Sequence, residues 1–114
     1  MEENRTVKHK GLTEAQVQNQ CLAYLSARKI FHWRQNTGAV KVDDRYIRFS
    51  VPGISDIIGM LPNGRFLAIE VKREIGGKLS AEQKDFLDTV NEHGGFGIVV
   101  CSVQELIDKL AKVL

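Results

Sequence analysis

The sequence predicts an α/β domain: a mixed central sheet, antiparallel meander plus parallel crossover, flanked by helices in the order α-β-β-β-α-β-α. Three observations carry this. Ser55–Met60 and Arg65–Lys72 are two branched- and aromatic-rich stretches joined across Leu61-Pro62-Asn63-Gly64, a run of turn formers, which reads as a β-hairpin. Helical spacing and a gap closed by glycines follow, then the apolar run Phe96–Cys101, which suits a buried parallel strand reached by a right-handed crossover. Helix-start signals stand at Thr13, Ser80 and Ser102.

Helix one opens at Thr13, with Gln16 completing a capping box and Leu12 stapling to Val17. It is expected to run to about Arg28, with Val17, Cys21, Tyr24, Leu25 and Arg28 recurring at three- and four-residue spacing. Ile30–Gln35 reads as a strand in which Phe31 and Trp33 share one face, His32 and Arg34 the other. His32 is read as structural. Val40–Val42 and Tyr46–Phe49 flank Asp43-Asp44 as a second hairpin signal. Its cations Lys41, Arg45 and Arg48 form either a solvated face or a basic edge for a phosphate backbone.

Helix two starts at Ser80 with Gln83 closing another capping box. Phe86, Leu87 and Val90 form its apolar side, and it ends at Gly94-Gly95. The spacing turns Gln83 inward with them. Ser102 and Glu105 open a last helix whose Val103, Leu106, Ile107, Leu110 and Leu114 make a core stripe, long enough to serve a dimer contact as well.

Residues 1 to 11 are polar and basic, with Arg5, Lys8, His9 and Lys10, and are expected to form a mobile tail ahead of a single domain over residues 12–114. A hydrophobic content of 43% and a charged content of 26% are ordinary globular values. The absence of a long apolar run and of a signal-peptide pattern points to a soluble, cytoplasmic protein that spans no membrane. Cys21 and Cys101 both fall in apolar patterns and read as buried free thiols; two distant cysteines cannot supply a four-cysteine cluster from one chain. The net charge of +2 does not by itself single out nucleic acid. Neither GxxxxGK[ST] nor GxGxxG occurs, so no nucleotide cofactor is expected.

The hairpin carries the chemistry. Facing residues in an antiparallel pair have a constant sum of positions, and a turn centred on Pro62–Gly64 places Asp56 opposite Glu70, with Cβ atoms about 4.5–5.5 Å apart. Lys72 shares their face, while Ile69 and Val71 turn into the core. Two ionised carboxylates at about 5 Å repel by roughly 3 kcal/mol at an effective dielectric near 20. Either Lys72 bridges both acids, or a divalent cation with oxygen ligands, Mg²⁺ or Mn²⁺, offsets the repulsion.

Pro52-Gly53 followed by Asp56, then Glu70-Val71-Lys72 after a hairpin, resembles the active site of the PD-(D/E)xK, restriction-endonuclease-like nucleases. Thr13-Glu14 at the first helix, Trp33 to Gly38, and Gln83 resemble the VRR-NUC branch, the virus-type replication-repair nucleases. The resemblance runs from about Leu12 to Cys101. It implies metal ligation by Asp56, Glu70 and the Val71 carbonyl, with Glu14 acting through water, and catalytic parts for Lys72 and Gln83. It also implies phosphate contacts at Arg34 or Asn36; from the residues alone, Arg73, Lys78 and Lys84 around the glycine loop join Lys41, Arg45 and Arg48 as candidate cations for DNA. The implied reaction is metal-dependent hydrolysis of DNA phosphodiesters, and small members of the family resemble homodimeric four-way (Holliday) junction resolvases of phage and bacterial recombination and repair. The rival readings are a flap or nick nuclease that needs a partner, a catalytically silent DNA-binding module, and a small protein-interaction domain without metal affinity.

Overall fold

In the computed structural model the described residues are 11–35, 39–48 and 51–114. The expected tail therefore lies outside them except for Gly11. Helix α1 spans Glu14–Ala27, and Thr13 and Gln16 exchange both bonds of a capping box. Strands β1 (Phe31–Arg34), β2 (Ala39–Val42), β3 (Arg45–Arg48), β4 (Ile57–Met60) and β5 (Phe66–Val71) precede helix α2 (Ala81–Glu92), strand β6 (Phe96–Val100) and helix α3 (Val103–Ala111).

Four strands form the central sheet in the order β1-β4-β5-β6, while β2 and β3 pair as a separate hairpin. Removing that excursion leaves α-β-β-β-α-β-α. Neighbours β1, β4 and β5 are antiparallel, and β5 and β6 are parallel. The β4–β5 turn is set by three consecutive residues. Gly64 N donates to Leu61 O at 2.8 Å, Gly64 takes φ 90°, and Arg65 N donates to Asn63 Oδ1 at 3.0 Å. This is a three-residue loop closed by a left-handed glycine, and it fixes the ladder at Ile57↔Ile69 and Met60↔Phe66. The register is the one the sequence predicts.

Both sheet faces are covered. Val17, Cys21 and Leu25 of α1 and Leu106 and Leu110 of α3 pack on Ile57, Leu67, Ile69, Val71 and Val100. On the other face Leu87 and Val90 of α2 meet Ile58 and Ala68. Alternate residues of β4 and β5 thus feed two cores, so both strands are apolar nearly throughout. Strand β6 departs from expectation. It is the sheet edge, so most of its residues are only half-buried between α2 and α3. Cys101 accordingly stands one residue past the strand and is half-buried, its Sγ donating to Glu105 Oε1 at 3.4 Å, whereas Cys21 is fully buried. Burial pushes the Cys21 thiol up to about 11. No helix among the described residues is long and apolar enough to cross a membrane.

Candidate active site

Asp56 lies one residue before β4 begins, where β4 leaves the ladder. Its Oδ2 accepts from Val71 N at 2.8 Å, taking the place of a backbone partner for the end of β5. An N–H and a C=O of one strand residue point toward the same neighbouring strand, so the Val71 carbonyl is directed to the Asp56 side as well. Glu70 extends the same register opposite Asp56, and it is 1% exposed.

Burial of Glu70 follows from the capping of α2. Gln83, the third residue of that helix, accepts from Ser80 N at 2.9 Å as the box requires. The same side chain turns its Nε2 to Glu70 Oε2 at 2.9 Å, and its Oε1 accepts from Lys72 Nζ at 2.8 Å. Lys72 Nζ lies 3.2 Å from the same Glu70 oxygen. Glu70 Oε2 is thus doubly held, while Oε1 is buried and has no hydrogen-bond partner. Burial first and the neighbouring Asp56 second push the Glu70 carboxyl up from 4.5 to about 8, against the pull of Lys72.

Pro52-Gly53 has a packing duty here. Gly53 has φ 75°, and a Cβ on it would sit 2.1 Å from the carbonyl oxygen of Glu82. Only glycine lets this loop press against the first turn of α2. That contact brings Gln83 over the sheet.

Next to Lys72 opens a cleft of about 460 Å³, lined by Glu14, Lys72, Arg73, Gly76, Gly77 and Lys78. Glu14 reaches it from the first turn of α1. Glu74 pins that turn in place: its Oε1 accepts from Leu12 N at 2.8 Å and its own N donates to Leu12 O at 3.0 Å. Arg73 Nη2 donates to Gly76 O across the glycine loop at 2.9 Å. Among the described residues no third His, Cys, Asp or Glu joins Asp56 and Glu70 in one cluster, so Glu14 stands on the cleft wall, apart from the pair.

The residues expected to meet DNA are scattered more widely. Arg34 Nε donates to Gln18 Oε1 at 2.9 Å, placing it over α1. Lys84 pairs with Asp88 at 2.6 Å on the outer side of α2. Arg45 is exposed on the β2–β3 hairpin. Lys41 and Arg48 belong to that hairpin, but their side chains, like Asn36 as a whole, lie outside the described residues. His32 Nδ1 lies 2.7 Å from Ile30 O and its Nε2 lies 3.4 Å from Ser26 Oγ, a structural pairing.

Matched against family models, residues 3–105 fit the one described as the VRR-NUC domain. The chain belongs to the VRR-NUC family. As a VRR-NUC domain it is a nuclease that acts on DNA, with a PD-(D/E)xK-like fold. A comparison with curated proteins gives no match. Sequence reasoning about this VRR-NUC chain passed over two residues beside the site. Gln35 donates its N–H to Asp56 O at 2.7 Å, and Glu74 anchors α1. The capping and hairpin rules that find Gln83 and Asp56 are local, whereas Gln35 and Glu74 act across long loops.

The oxygen set suits a hard divalent cation. An oxygen as buried as Glu70 Oε1 needs either a proton of its own, which the raised carboxyl can hold toward Asp56, or a cation, because leaving it unsatisfied costs about 1–3 kcal/mol. Asp56 and Glu70 would hold such a cation, whose charge would offset the repulsion between the two carboxylates.

Proposed function

We propose that this chain is a metal-dependent endonuclease that hydrolyses phosphodiester bonds in branched DNA, acting as a homodimer on four-way junctions. The observation that carries it is the buried, half-satisfied Glu70 held by Gln83 and Lys72 opposite Asp56. Asp56, Glu70 and the Val71 carbonyl would hold Mg²⁺ or Mn²⁺, which when bound supplies the positive charge that lowers the cost of the phosphorane-like transition state.

The chain's own residues do the rest. Lys72, fixed by Gln83 and Glu70 and only 12% exposed at its side chain, hydrogen-bonds the attacking water and balances charge building on the phosphoryl oxygens. Glu14, which lines the same cleft as Lys72, orients that water. Arg73 and Lys78 on the same wall hold the neighbouring phosphates, and further phosphate contacts are assigned to Arg34, Asn36, Lys41, Arg45 and Arg48. Lys84, already paired with Asp88, adds less. In-line attack then leaves a 5′-phosphate and a 3′-hydroxyl. One such constellation cuts one strand, so a symmetric pair of cuts needs a second copy.

The test offers end-labelled four-way junction, flap, single-stranded and linear duplex DNA side by side with Mg²⁺ or Mn²⁺, using Asp56→Asn as control. Paired symmetric nicks in the junction that the variant does not make support the proposal. Cleavage of flaps alone removes the resolvase reading, and no cleavage of any substrate overturns the catalytic one.

A further inference from the structure

Two stretches far apart in sequence line the active-site cleft: Lys72-Arg73 with the Gly76-Gly77-Lys78 loop, and Glu14 in the first turn of α1. They are tied at one point. Glu74 Oε1 accepts from Leu12 N at 2.8 Å, and Glu74 N donates to Leu12 O at 3.0 Å. Glu74 stands two residues beyond Lys72, and Leu12 two residues ahead of Glu14. The two bonds therefore join the walls next to the groups that line them.

Helix capping does not account for these bonds. Thr13 N donates to Gln16 Oε1 at 2.9 Å, Gln16 N to Thr13 Oγ1 at 3.1 Å and Val17 N to Thr13 O at 3.0 Å, so α1 starts without help from Glu74. Core packing reaches Leu12 and Val17 but skips the turn between them, where residues 13–16 are all exposed. Gly11 shapes the approach. It has φ 75°, and a Cβ on it would stand 2.8 Å from Glu74 Oε1, so glycine lets the chain pass close over that carboxylate. What the bonds fix is the place of the α1 end, and of Glu14 on it, relative to the glycine loop.

We propose that Glu74 is a positioning residue for phosphodiester cleavage: by clasping Leu12 it holds Glu14 in the cleft, where Glu14 orients the attacking water. This rests on the DNA-nuclease reading and on the part given there to Glu14. Helix ends fray, and a small displacement of a group that orients a reactant lowers the rate steeply. Glu74 acts only through Glu14. Its loss should therefore slow cleavage without weakening DNA binding, and should cost nothing further once Glu14 is gone.

The experiment compares the full-length wild type with Glu74→Ala, Glu74→Gln, Glu14→Ala and the double variant Glu14→Ala/Glu74→Ala. Single-turnover cleavage of saturating four-way junction or flap DNA, whichever the wild type cuts, gives the rate with Mn²⁺. Fluorescence anisotropy of the same labelled DNA in chelator gives the affinity, and hydrogen exchange over residues 12–17 in chelator reports the clasp itself. Glu74→Ala should cut about tenfold more slowly, bind within about twofold of the wild type, and exchange faster over residues 12–17 alone. A glutamine Oε1 can accept from Leu12 N as the carboxylate does, so Glu74→Gln should restore both rate and exchange. The double variant should cut as Glu14→Ala does. If Glu74→Ala does not fold, Glu74→Asp, one methylene short of Leu12 N, replaces it in the same comparison. Losses that multiply in the double variant overturn the positioning role and leave the nuclease reading standing. So does a Glu74→Ala variant that cuts at the wild-type rate, or a loss that Glu74→Gln does not relieve. If the wild type cuts neither DNA, the nuclease reading itself has failed and the positioning role falls with it.

Discussion

The Gln83 side chain joins the N-terminus of α2 to the buried carboxylate of Glu70, its Nε2 donating to Oε2 at 2.9 Å while its Oε1 accepts from Ser80 N and Lys72 Nζ. One residue therefore closes a helix cap and fixes the orientation of both charged groups of the Glu70-Val71-Lys72 strand end. Gln83→Ala should cost about 1–3 kcal/mol in urea denaturation through the lost cap and the lost bond to a buried carboxylate. It should also lower cleavage about tenfold. Gln83→Glu can keep the cap, but it faces Glu70 with a second acid, so it should lose activity while retaining more of the stability. Equal activity in all three proteins would remove Gln83 from the site.

Asp56→Asn, Glu70→Gln and Lys72→Ala should each reduce single-turnover cleavage by at least about 10²-fold, with far-UV circular dichroism little changed. Calorimetry with Mn²⁺ should show binding to the wild type that is lost in Asp56→Asn. A variant that cuts at the wild-type rate would sink the role given to its residue.

The raised Glu70 carboxyl gives the metal-free protein a pH dependence of definite sign. Between 4.5 and about 8 the native state holds a proton on Glu70 that the unfolded chain has released, so native stability falls as pH rises through that window. The melting temperature in chelator should be higher at pH 6 than at pH 8.5, and Glu70→Gln should flatten the slope. Mn²⁺ competes with that proton, so its affinity should rise with pH up to about 8 and then level off. A melting temperature that climbs across this range in chelator would contradict the assignment.

Gly53 and Gly64 both have positive φ, at 75° and 90°, but only Gly53 faces a neighbour. Alanine at Gly64 meets open space and should cost about 1–2 kcal/mol, the left-handed penalty alone. Alanine at Gly53 meets the Glu82 carbonyl at 2.1 Å and must also push α2 off the loop. Gly53→Ala should destabilise by more than Gly64→Ala in a denaturant melt and should weaken cleavage as Gln83 is displaced. Equal costs would mean that the Pro52-Gly53 loop does not hold the helix.

Much of the site could be read from local chemistry. The Pro62-Asn63-Gly64 turn dictates the β4–β5 register, and with it the juxtaposition of Asp56 and Glu70. Thr13, Ser80 and Ser102 start the three helices because each hydroxyl accepts from the backbone three residues on. The spacing that turns Gln83 inward is equally local. The edge position of β6 was not legible, because an apolar run looks the same whether a sheet continues beyond it or stops. The i,i+4 pair of Lys84 with Asp88, by contrast, is local to α2 and follows from helical spacing.

The sequence by itself determined which segments become helices and strands, where they start, and how the hairpin aligns, since these depend on backbone bonds and side-chain alternation over a few residues. Tertiary structure alone decided that Glu70 is buried with one oxygen unpartnered. It also decided that the Gln35 N–H backs the Asp56 carbonyl and that Glu14 and Lys72 line one cleft. Strand β1 reaches β4 past a separate hairpin, and α1 reaches the glycine loop from the far end of the chain. No turn sets either register. They are fixed by the packing of two cores on opposite sheet faces, which minimises exposed apolar surface over the whole molecule and leaves no mark on any short stretch of it.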